Sequence, residues 1–331
     1  MMKFTHAVVL GAALWLLAPS GVGAQSLSYN SGQNVAPGYE GWEEDADGTK
    51  YFLFGYMNRN WEEELDIPAG PNNGFSGPGT IAADLGQPTR FLPRRNRFVF
   101  RVKVPAGWTE KEELIWTLAS PNGKTEKAWA SLRVDYKVDD VVKASETGAL
   151  GAGSSSPEVR ANKPPVVKVQ GNRALTVKVG QPVSIAALVT DDGIPKFRGA
   201  GLAGAAVSNR GTRPDRAVAT TDAAPRANRA MQPPARATVG KNVGLHISWF
   251  VYRAPAAAQV TYDPIQIKPW EDTRAGANSP WAPLWTPPAM PKDGIIPATV
   301  VFAEPGTYIL RGLADDGALT GFDDITVTVT K

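Results

Sequence analysis

Two Asp-Asp-Gly sequences contain the carboxylates that are best suited by sequence to hold a metal ion. Calcium takes about six to eight oxygen ligands, and carboxylates gathered at one end of a domain can supply them. One hypothesis is therefore a calcium site, and calcium is the only cofactor that the sequence suggests. The alternative is that Asp-Gly forms turns, which is its commonest use. The carboxylates concerned belong to Asp191, Asp192, Asp315 and Asp316.

Three tryptophans in a proline-rich stretch, Trp270, Trp281 and Trp285, form a second candidate site. Exposed indole faces can stack on sugar rings, so these side chains are candidates for glycan binding. The alternative is that the rings pin the stretch to the domain beneath it, since burial of a large aromatic side chain contributes about 2–3 kcal/mol. We favour the structural role and keep glycan binding as a second hypothesis.

Residues for catalysis are scarce in this chain. It has no cysteine and two histidines, His6 and His246, which excludes thiol nucleophiles, cysteine-ligated metals and poly-histidine sites. His246 has no GxSxG nucleophile sequence to serve. Glycoside hydrolysis needs two carboxylates roughly 5–10 Å apart, and the acidic run that follows Trp61 is more typical of a solvated face. We predict that the protein is not an enzyme and keep a carboxylate-dependent glycoside hydrolase as a third hypothesis.

Apolar and polar residues alternate along the candidate elements, which indicates strands with one buried face. Phe98, Phe100, Val102 and Val104, for example, share one predicted core face. Asp47-Gly48 and Asn122-Gly123 predict hairpin turns. No convincing amphipathic helix follows residue 24, so we predict an all-β fold of two β-sandwich domains. The predicted N-terminal strands are Tyr51–Met57, Arg97–Val104, Glu113–Leu118 and Ala128–Val138.

The 331 residues divide at a stretch rich in Gly, Ser and Pro. Residues 143–165 have no periodic apolar face and predict a flexible linker. This linker separates an N-terminal domain over residues 27–142 from a C-terminal domain over residues 166–331. The C-terminal domain contains two insertions. Residues 196–240 almost lack large apolar side chains and are predicted to be disordered, whereas residues 263–297 are rich in Trp and Pro and are predicted to be ordered.

Residues 1–24 have the parts of a bacterial secretory signal peptide. Lys3 is followed by the apolar run Ala7–Ala18 and by the small residues Val22-Gly23-Ala24. As a helix the apolar run would be about 18 Å long, too short to cross a hydrocarbon core of about 30 Å. We therefore predict export to the periplasm or the cell exterior, with no transmembrane segment once the signal is removed.

Charge is distributed unevenly. Nine acids lie between Glu40 and Asp66, and six bases without an acid lie between Arg90 and Lys103. We predict that these two stretches contact each other. Residues 196–240 hold eight bases but only one aromatic residue, which is unlike a nucleic-acid surface. Together with export, this argues against a nucleic-acid partner.

Four segments of the C-terminal half share the strand pattern of one architecture, namely Leu175–Asp192, His246–Tyr252, Phe302–Gly317 and Asp323–Thr330. They resemble the immunoglobulin-like sandwiches of bacterial secreted proteins, especially the PKD and cadherin-like groups. The resemblance implies a buried Trp249 in the third strand and a corner-forming Tyr308. Cadherin-like relatives bind calcium between domains. The whole chain also resembles secreted proteins of environmental bacteria that have no assigned activity, so this second resemblance implies no chemistry.

These observations predict an exported, non-catalytic interaction protein. Its partner would be a protein or another envelope component, contacted through sheet edges and loops. A glycan-binding protein that uses the tryptophan-rich stretch is the alternative.

Overall fold

The computed structural model describes residues 29–147, 157–196, 244–266, 268 and 290–331. Within these residues the chain forms two β-sandwiches, and the predicted all-β fold class is confirmed. The predicted signal peptide, all but one residue of the insertion 196–240 and the three tryptophans of the candidate glycan site lie outside the described residues.

The N-terminal sandwich contains eight strands: β1 (Val35–Glu44), β2 (Lys50–Asn58), β3 (Leu65–Asp66), β4 (Asn73–Ser76), β5 (Arg90–Phe91), β6 (Arg94–Lys103), β7 (Leu114–Ala119) and β8 (Thr125–Ala130). They form sheets in the orders β1-β2-β6 and β4-β7-β8 and a separate pair β3-β5, all antiparallel. The two predicted hairpin turns are confirmed. Gly48 and Gly123 occupy them at φ of +82° and +83°, a conformation that favours glycine.

The core of the N-terminal sandwich is aromatic. The ring centroid of Phe54 lies 5.5 Å from that of Phe100 and 5.8 Å from that of Trp116. Phe75 stacks on Trp116 with a centroid distance of 5.9 Å. All four side chains are at most 5% exposed, and burial of each contributes about 2–3 kcal/mol. Since the four rings come from β2, β4, β6 and β7, they hold the two sheets together.

Buried amide side chains order the Pro- and Gly-rich stretch between residues 67 and 93. Asn73 donates from Nδ2 to the carbonyls of Ile67 and Pro88, both at 2.8 Å. Gln87 donates from Nε2 to the carbonyl of Asn73 at 2.9 Å. Both amides are fully buried. Their hydrogen bonds satisfy backbone carbonyls that have no long strand beside them.

In the described residues the C-terminal sandwich has eight strands: β9 (Val166–Val169), β10 (Ala174–Lys178), β11 (Val183–Thr190), β12 (His246–Arg253), β13 (Val260–Asp263), β14 (Ile295–Phe302), β15 (Gly306–Asp315) and β16 (Thr320–Thr330). One sheet has the order β13-β14-β11-β9 and the other β10-β16-β15-β12. The first two strands lie in different sheets, and β10 pairs in parallel with the last strand, β16. This strand order is immunoglobulin-like.

Trp249 and Tyr308 occupy the positions that the resemblance implies. Trp249 on β12 is 1% exposed, and its indole packs against Gly312, where a Cβ would lie only 3.0–3.1 Å from the ring. Tyr308 is fully buried and donates its hydroxyl to the carbonyl of Glu304 at 2.7 Å. This bond is the tyrosine corner of immunoglobulin-like sandwiches. Membership of the PKD or cadherin-like group in particular stays a prediction.

Replacing Tyr308 with phenylalanine removes the donor to Glu304 and keeps the buried ring. We expect Tyr308→Phe to lower the free energy of unfolding by about 1–2 kcal/mol, as measured by urea denaturation. Tyr136→Phe is the matched control, because Tyr136 is 43% exposed, and it should change stability by less than about 0.5 kcal/mol. Equal losses in the two variants would show that the corner contributes nothing.

The predicted strand Ala128–Val138 is wrong in its second half. β8 ends at Ala130, and the chain then forms a 3-10 turn at Val134–Tyr136, whose first residue is 73% exposed. The cause is a tertiary contact. The amide of Val138 donates to the carbonyl of Trp42 on β1 at 2.9 Å, so this segment docks on β1 instead of extending β8.

Two short helices extend into the described parts of the predicted linker, residues 143–147 and 157–165, where no helix was expected. α1 (Asp140–Thr147) follows Asp139, whose carboxylate accepts a hydrogen bond from the amide of Val142 at 2.9 Å. This is an N-cap, and its aspartate is the sequence signal for the helix. α2 (Pro157–Ala161) starts with a proline, which is favoured at the first helical position. Within the described ranges, no helix is both long and apolar enough to span a membrane.

The described parts of this connector pack on the C-terminal sandwich. Ala144 of α1 is fully buried against Ala318 and Leu319, in the turn between β15 and β16. Pro165 passes so close to Gly321 that a Cβ on this glycine would collide with the proline carbonyl. Small residues let the backbone approach closely at both contacts, and the flexible linker over residues 143–165 as a whole stays a prediction.

Candidate functional site

The outer face of the β12–β15 pair is covered by the N-terminal sandwich. Along β12, Trp249 and Val251 belong to the C-terminal core, whereas Phe250 and Tyr252 pack against the N-terminal core. Ile309 of β15 packs against the same N-terminal cluster. Because side chains alternate along a strand, β12 has a hydrophobic side chain on each face and joins the two domains.

Ion pairs and hydrogen bonds fix this contact at its edge. The guanidinium of Arg253 binds both carboxylate oxygens of Asp84, at 2.7 and 3.0 Å, and donates to the carbonyl of Gln87 at 2.8 Å. The Arg253 guanidinium also holds the pKa of Asp84 below its usual value. Arg90 donates to the carbonyl of Ala258 at 2.6 Å. Each of these bonds joins one sandwich to the other.

Arg311 lies in the interface and is 4% exposed. It donates to both carboxylate oxygens of Asp324 at 2.8 and 2.9 Å, and to the carbonyl of Val99 across the interface at 2.6 Å. Its guanidinium carbon lies 3.7 Å from the ring centroids of both Tyr252 and Phe322. A planar guanidinium can be paired, hydrogen-bonded and stacked at the same time. These contacts together offset the cost of burying its charge.

A β-bulge in β6 presents the carbonyl that Arg311 binds. Gly55 on β2 lies opposite residues 97–99, so three residues of β6 face one residue of β2. Phe98 in the bulge has a φ of +50°, which is uncommon for a residue other than glycine. A Cβ on Gly55 would collide with the carboxylate of Glu40 and the carbonyl of Asn96. The bulge therefore requires a glycine on the neighbouring strand.

The interface leaves a cleft of about 250 Å³ beside the bulge. Phe98 lines this cleft together with Phe250 and Phe322, so its predicted place on the core face is wrong. The bulge turns Phe98 away from the core, whereas the other members of that face are buried as predicted. Among the residues that the structure describes, six cationic and three acidic residues also line the cleft; the cations are Arg95, Arg97, Arg101, Lys143, Lys268 and Arg311.

Carboxylates hold several of these cations in place. Lys143 on α1 contacts Glu43 at 2.6 Å and Asp140 at 3.0 Å, while Arg101 contacts Glu43 at 3.3 Å and Asp45 at 3.0 Å. Burial acts to lower the pKa of Lys143, but the two carboxylates outweigh it, so the pKa is raised and the ammonium stays charged.

The predicted contact between the acidic and basic stretches is confirmed by these Arg101 pairs and by Arg95–Glu40 and Arg90–Asp66.

The aspartates of the predicted calcium site take part in turns. Asp191 accepts a hydrogen bond from the amide of Gly193 at 2.8 Å, and Asp315 accepts one from the amide of Gly317 at 2.7 Å. Among the residues that the structure describes, no group of three His, Cys, Asp or Glu side chains is arranged to hold a metal ion. The turns are thus observed, and calcium binding stays a prediction.

Asp192 and Asp316 bind neighbouring residues of the connector. Asp192 accepts a hydrogen bond from the amide of Lys163 at 3.0 Å, and Asp316 accepts one from Nδ2 of Asn162 at 3.1 Å. Both aspartate pairs therefore reach the same end of the C-terminal sandwich. Asp316 is 3% exposed, and this burial raises its pKa to about 7, although backbone amides of the turn act to lower it.

The remaining candidates from the sequence are His246, the acidic run after Trp61 and the three tryptophans. His246 is 2% exposed, and its Nδ1 lies 2.8 Å from the carbonyl of Gly244. It is buried because the outer face of β12 is covered rather than solvated. In the acidic run after Trp61, Glu63 accepts a hydrogen bond from the amide of Gly32 at 2.6 Å. Trp270, Trp281 and Trp285 lie outside the described residues, so glycan binding by them stays a prediction.

Sequence reasoning missed Arg311 and the bulge that it binds. A signal for Arg311 was present, because a charged residue within the apolar run Tyr308–Ala314 needs a partner if it is buried. The bulge had no comparable signal. Its sequence continues the alternation of β6, and the extra residues are recognised only from the pairing with β2.

Comparison with known proteins identifies no family for this chain. No family model matches it, and no curated protein matches it significantly. Among solved structures it is similar to the adhesin InvE of Yersinia pseudotuberculosis, with 11% identity, a TM-score of 0.24, and coverage of 90% of this chain and 58% of the adhesin. Domains 4 and 5 of the S-layer protein SbsC have 10% identity and a TM-score of 0.21, with coverage of 90% of this chain and 98% of the SbsC fragment. The D00-D0 domain of intimin has 8% identity and a TM-score of 0.19, with coverage of 89% of this chain and 100% of the intimin domain. Likenesses at these scores carry no argument about function.

Removal of the Arg311 guanidinium should break the interface. We expect Arg311→Gln to lower the free energy of unfolding by about 2–3 kcal/mol, because the Val99 carbonyl loses its charged donor and the packing of the guanidinium between Tyr252 and Phe322 is lost. The measurement is urea denaturation. Arg173→Gln is the matched control, since Arg173 also pairs with an aspartate of β16, Asp323, but its side chain is 62% exposed. This control should cost less than about 1 kcal/mol, and a similar loss in both variants would contradict the role of Arg311.

The Asp316 carboxyl should make stability depend on pH. Its pKa is about 7 in the folded protein against an ordinary value of 3.8, so the folded state keeps a proton that the unfolded chain releases. The contribution of this carboxyl to the free energy of unfolding is therefore greatest below about pH 4. It falls by up to about 1.4 kcal/mol per pH unit as the pH rises from about 4 to about 7.

The check is urea denaturation of the wild type and Asp316→Asn at pH 5 and pH 8. The amide of Asp316→Asn keeps a turn acceptor but does not titrate, so the variant should lose less stability between the two pH values. Asp293→Asn, at an exposed turn, is the control and should follow the wild type. A pH response of Asp316→Asn equal to that of the wild type would show that this carboxyl titrates normally.

Proposed function

We propose that this protein is an exported, non-catalytic binding protein whose ligand occupies the cleft between its two sandwiches. The observation that carries the proposal is the interface around Arg311, because it forms the cleft from both domains at a fixed separation. Ligand sites occur preferentially at domain interfaces. A site that is formed in advance also avoids much of the entropy cost of ordering loops on binding.

The lining of the cleft suits binding rather than a chemical step. Arginine guanidinium groups stay protonated at ordinary pH, so they hold a ligand but do not exchange protons with it. The carboxylates of Glu43 and Asp140 contact the ammonium of Lys143. Their observed role is to position a cation. Together with Phe322, a residue that is 42% exposed, these groups form a surface that recognises charge and shape.

Export and envelope contact belong to the same proposal. They rest on the predicted signal peptide over residues 1–24, which would direct the protein to the periplasm or the cell exterior. Partners through sheet edges are supported by β10 and β13, which lie at the ends of their sheets in the described part of the chain. Calcium binding by the Asp-Asp-Gly turns and glycan binding by the three tryptophans remain alternative proposals.

A variant that fills the cleft tests the proposal. Thr320 lines the cleft at the start of β16, so Thr320→Trp should block a ligand without removing a core side chain. We expect compounds from a panel of anionic, neutral and cationic small molecules to raise the Tm of the wild type by about 5–10 °C at 100-fold excess over Kd. Thr320→Trp should lose this response.

Thr176→Trp is the matched control, because Thr176 is an exposed threonine of β10 in the same sheet. It should respond to ligand as the wild type does. Binding that persists in Thr320→Trp, or that is lost equally in Thr176→Trp, would place the ligand outside the cleft and contradict the proposal.

A further inference from the structure

Three phenylalanine rings meet around Arg311 at the cleft, and all three line it. Phe322 on β16 stacks on the guanidinium, whose carbon lies 3.7 Å from the ring centroid. Phe250 on β12 lies directly opposite Arg311 in the β12–β15 pairing, so the two side chains are neighbours on the outer face of this sheet. Phe98 on β6 precedes Val99, whose carbonyl accepts the hydrogen bond from Arg311 at 2.6 Å. The rings therefore come from three strands and from both domains, yet they lie close together.

The apolar surface of these rings is open to a ligand. Phe98 and Phe250 are partly buried, and Phe322 is 42% exposed. Leu313 lies opposite Phe322 in the β15–β16 pairing and adds an aliphatic side chain to the lining. The backbone holds the Phe98 ring at the cleft at a φ of +50°, and strained residues of this kind cluster at ligand sites. A ligand that displaces water from this apolar surface is stabilised by its burial.

Ion pairs within the protein make the cleft better suited to a neutral ligand than to an anion. Arg101 and Lys143 contact Glu43 at 3.3 and 2.6 Å, and Arg311 binds Asp324 at 2.8 Å. An anionic ligand would compete with these carboxylates and would lose its own hydration on entering the cleft. A paired guanidinium still offers its flat face to a ring, since Arg311 is paired and also stacked on two rings.

We propose that the cleft binds a neutral aromatic compound of one or two fused rings, held against Phe98, Phe250 and Phe322. This proposal rests on the proposed function and names its ligand class. A cavity of ~150 Å³ holds benzene, so about 250 Å³ accommodates two fused rings. Aromatic rings in edge-to-face or offset contact attract each other beyond the effect of the area that they bury. Three phenylalanines therefore select an aromatic ring over a saturated ring of similar size.

The test measures binding of 2-naphthol by isothermal titration calorimetry. Decahydro-2-naphthol is the matched ligand, because it has the same carbon skeleton and hydroxyl group without the aromatic rings. We expect 2-naphthol to bind about threefold to tenfold more tightly than the saturated alcohol. The anion 2-naphthoate should bind more weakly than 2-naphthol, because it competes with carboxylates of the protein for the cations.

Phe98→Leu keeps an apolar side chain at the cleft and removes the ring. It should reduce the preference for 2-naphthol over the saturated alcohol to about twofold or less. Because Phe98 lies outside the core, the Tm of the free variant should stay within about 2 °C of the wild type. Phe322→Leu repeats the measurement on another strand and should lose the same preference. Trp129→Leu is the matched control, since Trp129 is 52% exposed and lies outside the cleft, and it should bind both alcohols as the wild type does.

Each other outcome overturns the inference. Equal binding of the two alcohols would show that the rings do not select an aromatic ligand. Tighter binding of 2-naphthoate than of 2-naphthol would assign the cleft to anions. An equal loss of preference in Trp129→Leu would place the compound outside the cleft. If 2-naphthol does not bind but another compound of the panel raises the Tm of the wild type and not of Thr320→Trp, the ligand class is wrong and the proposed function stands. If Thr320→Trp changes no ligand response in the panel, the proposed function fails as well.

Discussion

The burial of one positive charge, that of Arg311, determines how the two sandwiches are assembled. A buried guanidinium is stable only when its charge is paired and its donors are satisfied. Asp324 and the rings of Tyr252 and Phe322 are supplied by the C-terminal sandwich itself. The acceptor for Nη1, the carbonyl of Val99, comes from the other sandwich. The environment of Arg311 is therefore complete only when the domains are docked in this orientation.

The same bulge serves both the interface and the cleft. It turns the Val99 carbonyl toward Arg311, and it removes Phe98 from the core and places that ring in the cleft. The bulge depends in turn on Gly55, which leaves room for the buried Glu40 carboxylate. A strained residue such as Phe98 persists where its surroundings over-determine it, and such residues cluster at functional sites. Stability of the interface and formation of the site thus depend on one local irregularity.

Short sequence patterns predicted the strands and turns whose conformation depends mainly on neighbouring residues in the chain. The strands β2 and β7, the turns at Gly48 and Gly123, and the corner at Tyr308 follow from alternation and from turn chemistry. Where prediction failed, a distant segment had intervened. Residues 131–138 have the alternation of a strand, yet they dock on β1. The bulge at residues 97–99 is defined by the partner strand, and no feature of β6 alone reveals it.

The sequence by itself determined the all-β class, the immunoglobulin-like order around Trp249 and the attraction between the acidic and basic stretches. Only the tertiary structure decided that the second face of β12, with Phe250 and Tyr252, lies against the N-terminal core. It also decided that a cationic cleft forms beside that contact. The physical reason is that alternation specifies which side chains share a face of a strand. What covers that face depends on segments far away in sequence. Their arrangement is fixed only when the buried charges are paired and the buried rings are packed at the same time.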